Sequence, residues 1–240
     1  MLKIPQLIEE HVHDPISATI GQRERNKRDK LLRIKTAARE LFVSKGYDDT
    51  TTREIAVRAG VGMGTVFSYA NNKRDLLFLI ANEDLEATTK RAESEISPEA
   101  SLITNLLAIF RNHYEYFARQ PELSRLMLRE MLFYDSGQQA NRFKTTREKV
   151  ISLICDSVRF AQQNRTIGTT EDPRIIGWML FCIYQVEIRN WLAEGDLNMK
   201  AGIERLVHGL KISLRGVAPK ESALARPKTE RVTHTRTRSG

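Results

Sequence analysis

Cysteine is nearly missing: the 240 residues contain two, Cys155 and Cys182. A secreted chain of this size held by disulfides would normally carry more, and both lie inside apolar runs. They are read as two buried thiols of a protein working in a reducing cytoplasm. Long hydrophobic runs are also lacking. The longest uncharged apolar stretch, Ile175 to Val186, falls short of the ~20 residues needed to span a bilayer, so no membrane partner is expected. The opening MLKIPQLIEEHVHDP places acids and prolines where a signal peptide needs an unbroken apolar core. No glycine-rich phosphate loop, no Cys or His cluster with metal-ligand spacing and no nucleophile motif occurs, so neither catalysis nor a metal or cofactor is expected. His11 and His13 read as a chance pair.

What is present is material for a core and an uneven distribution of charge. Hydrophobic residues make up 41% and charged residues 28%, and the net charge is +8. Residues 21–80 hold 13 Lys+Arg against 7 Asp+Glu, and residues 218–240 hold 6 against 2. The stretch 81–217 has 18 of each. A cationic N-terminal segment and a cationic tail around a neutral middle favour a polyanionic partner for the ends only.

The hydrophobic period is helical throughout and little resembles a strand, so the predicted fold is all-α. Residues 1–22 contain Pro5, Pro15 and Gly21 and read as a flexible leader. From Arg23 the residues Leu31, Ile34, Ala38, Leu41 and Phe42 share one face, and Gly46 closes that helix. Further helices are expected near 73–94, 99–119, 122–134, 138–164, 172–194 and 199–215. The stretch after Gly216 is polar, basic and proline-containing and is read as a disordered tail over 217–240.

The segment Thr51 to Tyr69 carries the strongest local signal. Thr51 with Glu54 three residues on is a capping box. Ile55, Ala56 and Ala59 give the helix an apolar face, and Gly60 stops it. Val61 is placed to plug the turn, a second short helix opens near Met63, and Asn72 to Asp75 forms a new cap. Two short helices joined by a glycine turn have the geometry of a helix-turn-helix, whose second helix enters the major groove. The same spacing also suits an ordinary helical hairpin.

The stretch from Lys27 to Leu85 resembles the DNA-binding domain of the TetR (tetracycline repressor) family. The matching runs are Ile34 to Phe42, Lys45-Gly46-Tyr47, Thr51 to Ala56, Ala59-Gly60-Val61, Gly64 to Phe67 and Lys73 to Leu77. The resemblance implies a three-helix DNA-binding head over 23–72 and a helical ligand-binding and dimerisation body over 73–216. Carried over by position, groove-facing residues fall on Arg53, Gly62, Met63, Thr65 and Phe67, while small residues at the helix entrance, Gly64 among them, let the backbone approach DNA closely. Phosphate contacts fall on Thr52, Ser68, Tyr69 and Lys73. Phe67 stands where a tyrosine is common, Met63 where a polar residue is frequent, and Ala70-Asn71 where an aromatic-proline pair is usual.

In the body, Phe110, His113, Tyr114, Phe117, Met127, Met131, Tyr134, Ile154, Trp178 and Phe181 are candidates for a small-molecule pocket, with His113 or Tyr114 as polar handles. Each also suits plain core packing. The nearly apolar helix around Ile175, Trp178 and Tyr184, together with Ile203, Leu206 and Leu210, suits either a homodimer interface or the centre of a monomer. The expected function is a homodimeric, ligand-responsive regulator, most simply a repressor, of a palindromic double-stranded operator. Its effector would be an apolar or amphipathic small molecule. An enzyme, or an architectural DNA binder using its basic tail, are the competing readings.

Overall fold

The computed structural model describes residues 21–215. The basic tail, nearly all of the leader and the His11–His13 pair lie outside them. Among the described residues nine α-helices follow in order: α1 (Gln22–Ser44), α2 (Thr52–Ala59), α3 (Met63–Phe67), α4 (Lys73–Ser94), α5 (Leu102–Ala118), α6 (Pro121–Glu130), α7 (Ala140–Gln163), α8 (Pro173–Ala193) and α9 (Met199–Arg215). Among the described residues there is no strand, and no helix is long and apolar enough to cross a membrane.

Local chemistry sets the helix ends. The Glu54 backbone N–H donates to Thr51 Oγ1 at 3.2 Å, and the Thr51 N–H donates to Glu54 Oε2 at 2.9 Å, which starts α2. Gly60 ends it at φ +61, a left-handed conformation with little cost for glycine alone. Asn72 Oδ1 accepts from the Asp75 N–H to start α4, Ser101 caps α5, and Pro121 and Pro173 open α6 and α8.

Two helices depart from the sequence reading. The helix expected over 99–119 begins only at Leu102, because Ser101 takes the cap by accepting from the Thr104 N–H. The helix expected over 122–134 ends at Glu130 and tightens into a 3-10 turn, Met131–Phe133. Tyr134 then turns extended, which aims its hydroxyl at the Asp75 side chain.

The spine is α4, whose Leu76, Leu77, Phe78 and Ile80 are buried together. It packs on α1, α5 and α7, so it joins head to body. Helices α7 and α8 approach closely where Gly177 meets Cys155, and α9 lies on α8 where Gly202 meets the Trp191 ring. Cysteine corrects one expectation: Cys155 is buried, whereas Cys182 is exposed on α8. An apolar helix can still leave one stripe uncovered, and the stripe left here is Ile175, Trp178, Met179, Cys182 and Val186.

Candidate DNA interface and effector cavity

The head presents α3 at the surface. Val66 is its buried anchor and Met63 packs partly on the core, while Gly62, Gly64, Phe67 and Ser68 are exposed. A Cβ added at Gly62 or Gly64 would meet nothing within 4 Å, so the space before this helix is open for another backbone to approach. Arg53 is exposed at the start of α2 and pairs with no carboxylate among the described residues, with Thr52 half-buried beside it and Thr65 half-buried on α3. Of the residues expected at phosphates, Ser68 Oγ donates to its own helix at the Thr65 carbonyl. The Tyr69 hydroxyl donates to the Lys27 carbonyl at 3.3 Å. Lys73 Nζ donates to the Asp48 carbonyl at 2.9 Å and sits over the Tyr47 ring. Tyr47 itself is pushed up to about 12, first by burial and then by the Glu130 carboxylate.

An exposed side chain at a base edge and one at a phosphate fail differently when removed. Tyr69→Ala is expected to weaken binding to all duplexes alike, and Arg53→Ala to relax preference at one base position by about 1–3 kcal/mol. Anisotropy titrations on operator and random duplex separate them; equal losses on both DNAs for both variants would contradict the placement.

The body holds a half-open cavity of about 380 Å³ between α4, α5, α7 and α8, within the range of small-molecule sites, and the exposed Leu132, Trp178, Cys182 and Val186 lie at its mouth. His113, Phe117, Met131, Trp178 and Phe181 of the expected set line it. The other five do not. Phe110, Tyr114, Met127 and Ile154 are buried in packed core instead: Phe110 stacks on Tyr184 at 4.5 Å, and Tyr114 packs on Trp191 at 4.8 Å. Tyr134 is turned toward Asp75 and stacks on Phe78 at 3.9 Å. In their place the wall includes Leu85, Leu132, Phe143, Thr146, Arg147, Val150, Cys182, Gln185, Val186 and Arg189. Tyr184, expected at a dimer interface, is 2% exposed and belongs to this wall. Leu206 and Leu210, expected there too, are 0% exposed, already covered by their own chain. Ile175 and Trp178 remain exposed, and Ile203 is half-buried.

Two features give the cavity its chemistry. The Arg147 guanidinium lies over the Trp178 and Phe181 rings, each 5.8 Å to centroid. Arg189 donates to the Gln185 carbonyl and to the Leu128 carbonyl, and burial and then the like charge of Arg147 make its cation less favourable. Among the described residues neither arginine has a carboxylate partner. His113 is buried with Nδ1 2.8 Å from the Ile109 carbonyl. A carbonyl only accepts, so Nδ1 carries the proton, and burial lowers the pKa and keeps the ring neutral. The unfolded chain takes up this proton more readily, so stability is full above about 6.5 and falls as pH drops below it. Melting curves between pH 7.5 and 5.5 are expected to shift more for the native chain than for His113→Phe. Identical shifts would contradict this.

The connector after α6 joins the cavity to the head. Met131 and Leu132 line the cavity, and the Phe133 carbonyl accepts from Arg74. Gln138 Nε2 donates to the Phe67 carbonyl at 2.8 Å and to Asn71 Oδ1 at 2.6 Å; Gln139 Nε2 donates to the Tyr69 carbonyl at 2.9 Å. Asp75, fully buried, accepts from the Tyr134 hydroxyl and from the backbone N–H groups of Asn71 and Gln138. One nine-residue stretch thus touches both the cavity wall and the last carbonyl of α3. Sequence reasoning missed it, since glutamines in a loop carry no pattern.

A helix-turn-helix head fused through α4 to a helical body with a cavity defines a ligand-gated class of DNA-binding proteins. Residues 34–80 match the family model described as bacterial regulatory proteins, tetR family. The chain belongs to the TetR family of transcriptional regulators. It is 30% identical over 168 residues to the fatty acid metabolism regulator protein of Bacillus subtilis (strain 168), covering 70% of this chain and 86% of that one. It is 32% identical over 188 residues to the uncharacterized HTH-type transcriptional regulator YvkB of the same organism, covering 78% and 96%. Its structure is similar to that of Thermus thermophilus FadR, a repressor in complex with lauroyl-CoA (TM-score 0.60, 25% identity, 80% of this chain and 96% of that one). Bacillus subtilis FadR in complex with stearoyl-CoA has the same fold (TM-score 0.59, 22% identity, 74% and 98%).

Proposed function

We propose that this chain is a homodimeric, cytoplasmic repressor that leaves a palindromic operator when a fatty acyl-CoA enters the body. The observation that carries this reading is an apolar cavity bordered by two arginines that no described carboxylate neutralises. Arg147 is exposed at the cavity mouth and Arg189 is half-buried, so a purely apolar effector would leave both guanidiniums without an anionic partner. An amphipathic one fills the cavity with its chain and sets an anionic, phosphate-bearing head against them. The similar repressor from Thermus thermophilus, solved with lauroyl-CoA, supports the same class.

The exposed stripe of α8 supplies the dimer contact in this reading. Ile175, Trp178, Met179, Cys182 and Val186 recur on one side of the helix and a second copy would cover them. Two copies of α3 then read half-sites a helical turn apart. DNA release works through the connector: the acyl chain presses on Met131 and Leu132, and Gln138 and Gln139 carry the shift to the end of α3. The ligand acts only to the extent that it prefers the shifted state.

The test is a fluorescence titration with lauroyl-CoA. Trp178 lines the cavity and Trp191 is buried away from it. A saturable change is expected that coenzyme A alone does not give and that Trp178→Phe abolishes. Shortening the chain should weaken binding about fourfold per methylene removed, since each buried CH₂ contributes about 0.8 kcal/mol. No saturable change, or equal response to coenzyme A, would overturn the acyl-CoA assignment.

A further inference from the structure

Helix α1 begins well before the head's core needs it. The apolar stripe that packs the head runs through Ile34, Ala38 and Leu41. Counting back from Ile34 by four, three and four residues, the same side of the helix carries Lys30, Lys27 and Arg23, and all of residues 21–30 are exposed. None of these three cations pairs with a carboxylate among the described residues. Their arrangement works against the helix. Arg23 and Lys27 are like charges one turn apart, and cations in the first turn oppose the positive end of the helix dipole. Such a stripe is tolerated best where an outside anion neutralises it.

The structure also says where that anion would lie. The Tyr69 hydroxyl, just past α3, donates to the Lys27 carbonyl, and Arg33 Nη1 reaches the Gly60 carbonyl in the turn between α2 and α3. The first two turns of α1 therefore run alongside the helix-turn-helix, with the cationic stripe on the side that faces it. Arg25 and Arg28 point away from that side, and Arg28 is within electrostatic reach of Glu83 on α4.

We propose that Arg23, Lys27 and Lys30 form a second DNA contact, a cationic rail that grips the phosphodiester backbone flanking the groove entered by α3. The proposal rests on the helix-turn-helix reading of the head and adds a phosphate-binding surface outside it. It supplies affinity without base preference.

The experiment uses the full chain and a mixed-sequence 30-base-pair duplex, with binding followed by anisotropy as salt is raised. Each phosphate contact contributes about 0.9 to the slope of log K against log salt. R23Q/K27Q/K30Q is expected to lower that slope by about 2–3 per bound protomer. R25Q/R28Q, with charges removed from the other side of the same turns, should leave it within about 0.5 of the native value. All five side chains are exposed, and Tyr69 bonds to the Lys27 backbone, so the triple variant keeps that anchor. A triple variant with the native slope, or a double variant that loses as much, overturns the rail while leaving the head's role intact. A native chain that leaves the duplex unbound at low salt overturns both.

Discussion

Gly137→Ala is expected to lower the melting temperature by about 10 °C or more. Gly137 sits at φ +129, where a side chain costs about 1–3 kcal/mol of backbone strain. Its added Cβ would also lie 2.8 Å from Asp75 Cγ and 2.9 Å from Oδ2, too close for any real contact. Asp75 has nowhere to go: it is fully buried and accepts from Asn71, Gln138 and Tyr134. Pushing it aside leaves buried donors unmatched at about 1–3 kcal/mol each. A total near 4 kcal/mol corresponds to about 10 °C for a chain of this size, at about 2–4 °C per kcal/mol. Gly168→Ala, where φ is ordinary and nothing lies within 4 Å, is the control and should melt like the native chain. Equal melting of the two variants would mean that the junction between connector and head is loose. The route from cavity to α3 would then be lost.

The second large effect concerns the effector. Arg147→Gln is expected to raise the lauroyl-CoA concentration needed to release DNA by about 10–150-fold, with unliganded DNA affinity unchanged. A hydrogen bond to a charged group contributes about 1.5–3 kcal/mol, which converts to that range. Arg147 is the cleaner site to test, because its guanidinium rests on the Trp178 and Phe181 rings, whereas Arg189 also holds the α6 carbonyl of Leu128. Arg147→Lys should recover only part of the response, since a point charge replaces a planar fork. An unchanged release curve for Arg147→Gln would remove the anionic head from the account. A parallel loss of DNA binding would assign Arg147 to folding instead.

The head was readable in the sequence because its signals are local. The Thr51–Glu54 capping box, the glycine at Gly60 and the cap at Asn72 each determine backbone geometry within four residues, and the helix ends fall where they indicate. The cavity was readable only in part. Periodicity identifies which residues are buried, and Phe110, Tyr114, Met127 and Ile154 are indeed buried. It does not distinguish a residue facing a neighbour from one facing a void, which depends on how far two helices diverge. One signal was available. Phe143, Thr146, Arg147 and Val150 lie on one side of α7, and an arginine among apolar residues marks a place where a charge is useful. The expected dimer residues mixed the two sides of α8 and α9. Leu206 and Leu210 face inward, whereas Ile175, Trp178 and Val186 on α8 and Ile212 on α9 stay exposed.

The central claim is that an acyl-CoA in the body moves α3 off DNA. Protection mapping of the DNA flanking the protein's own gene, with and without lauroyl-CoA, tests it most directly. The account predicts two protected half-sites about one helical turn apart that disappear with lauroyl-CoA and persist with coenzyme A. Protection no stronger than on scrambled DNA, or protection unaffected by saturating lauroyl-CoA, would contradict it.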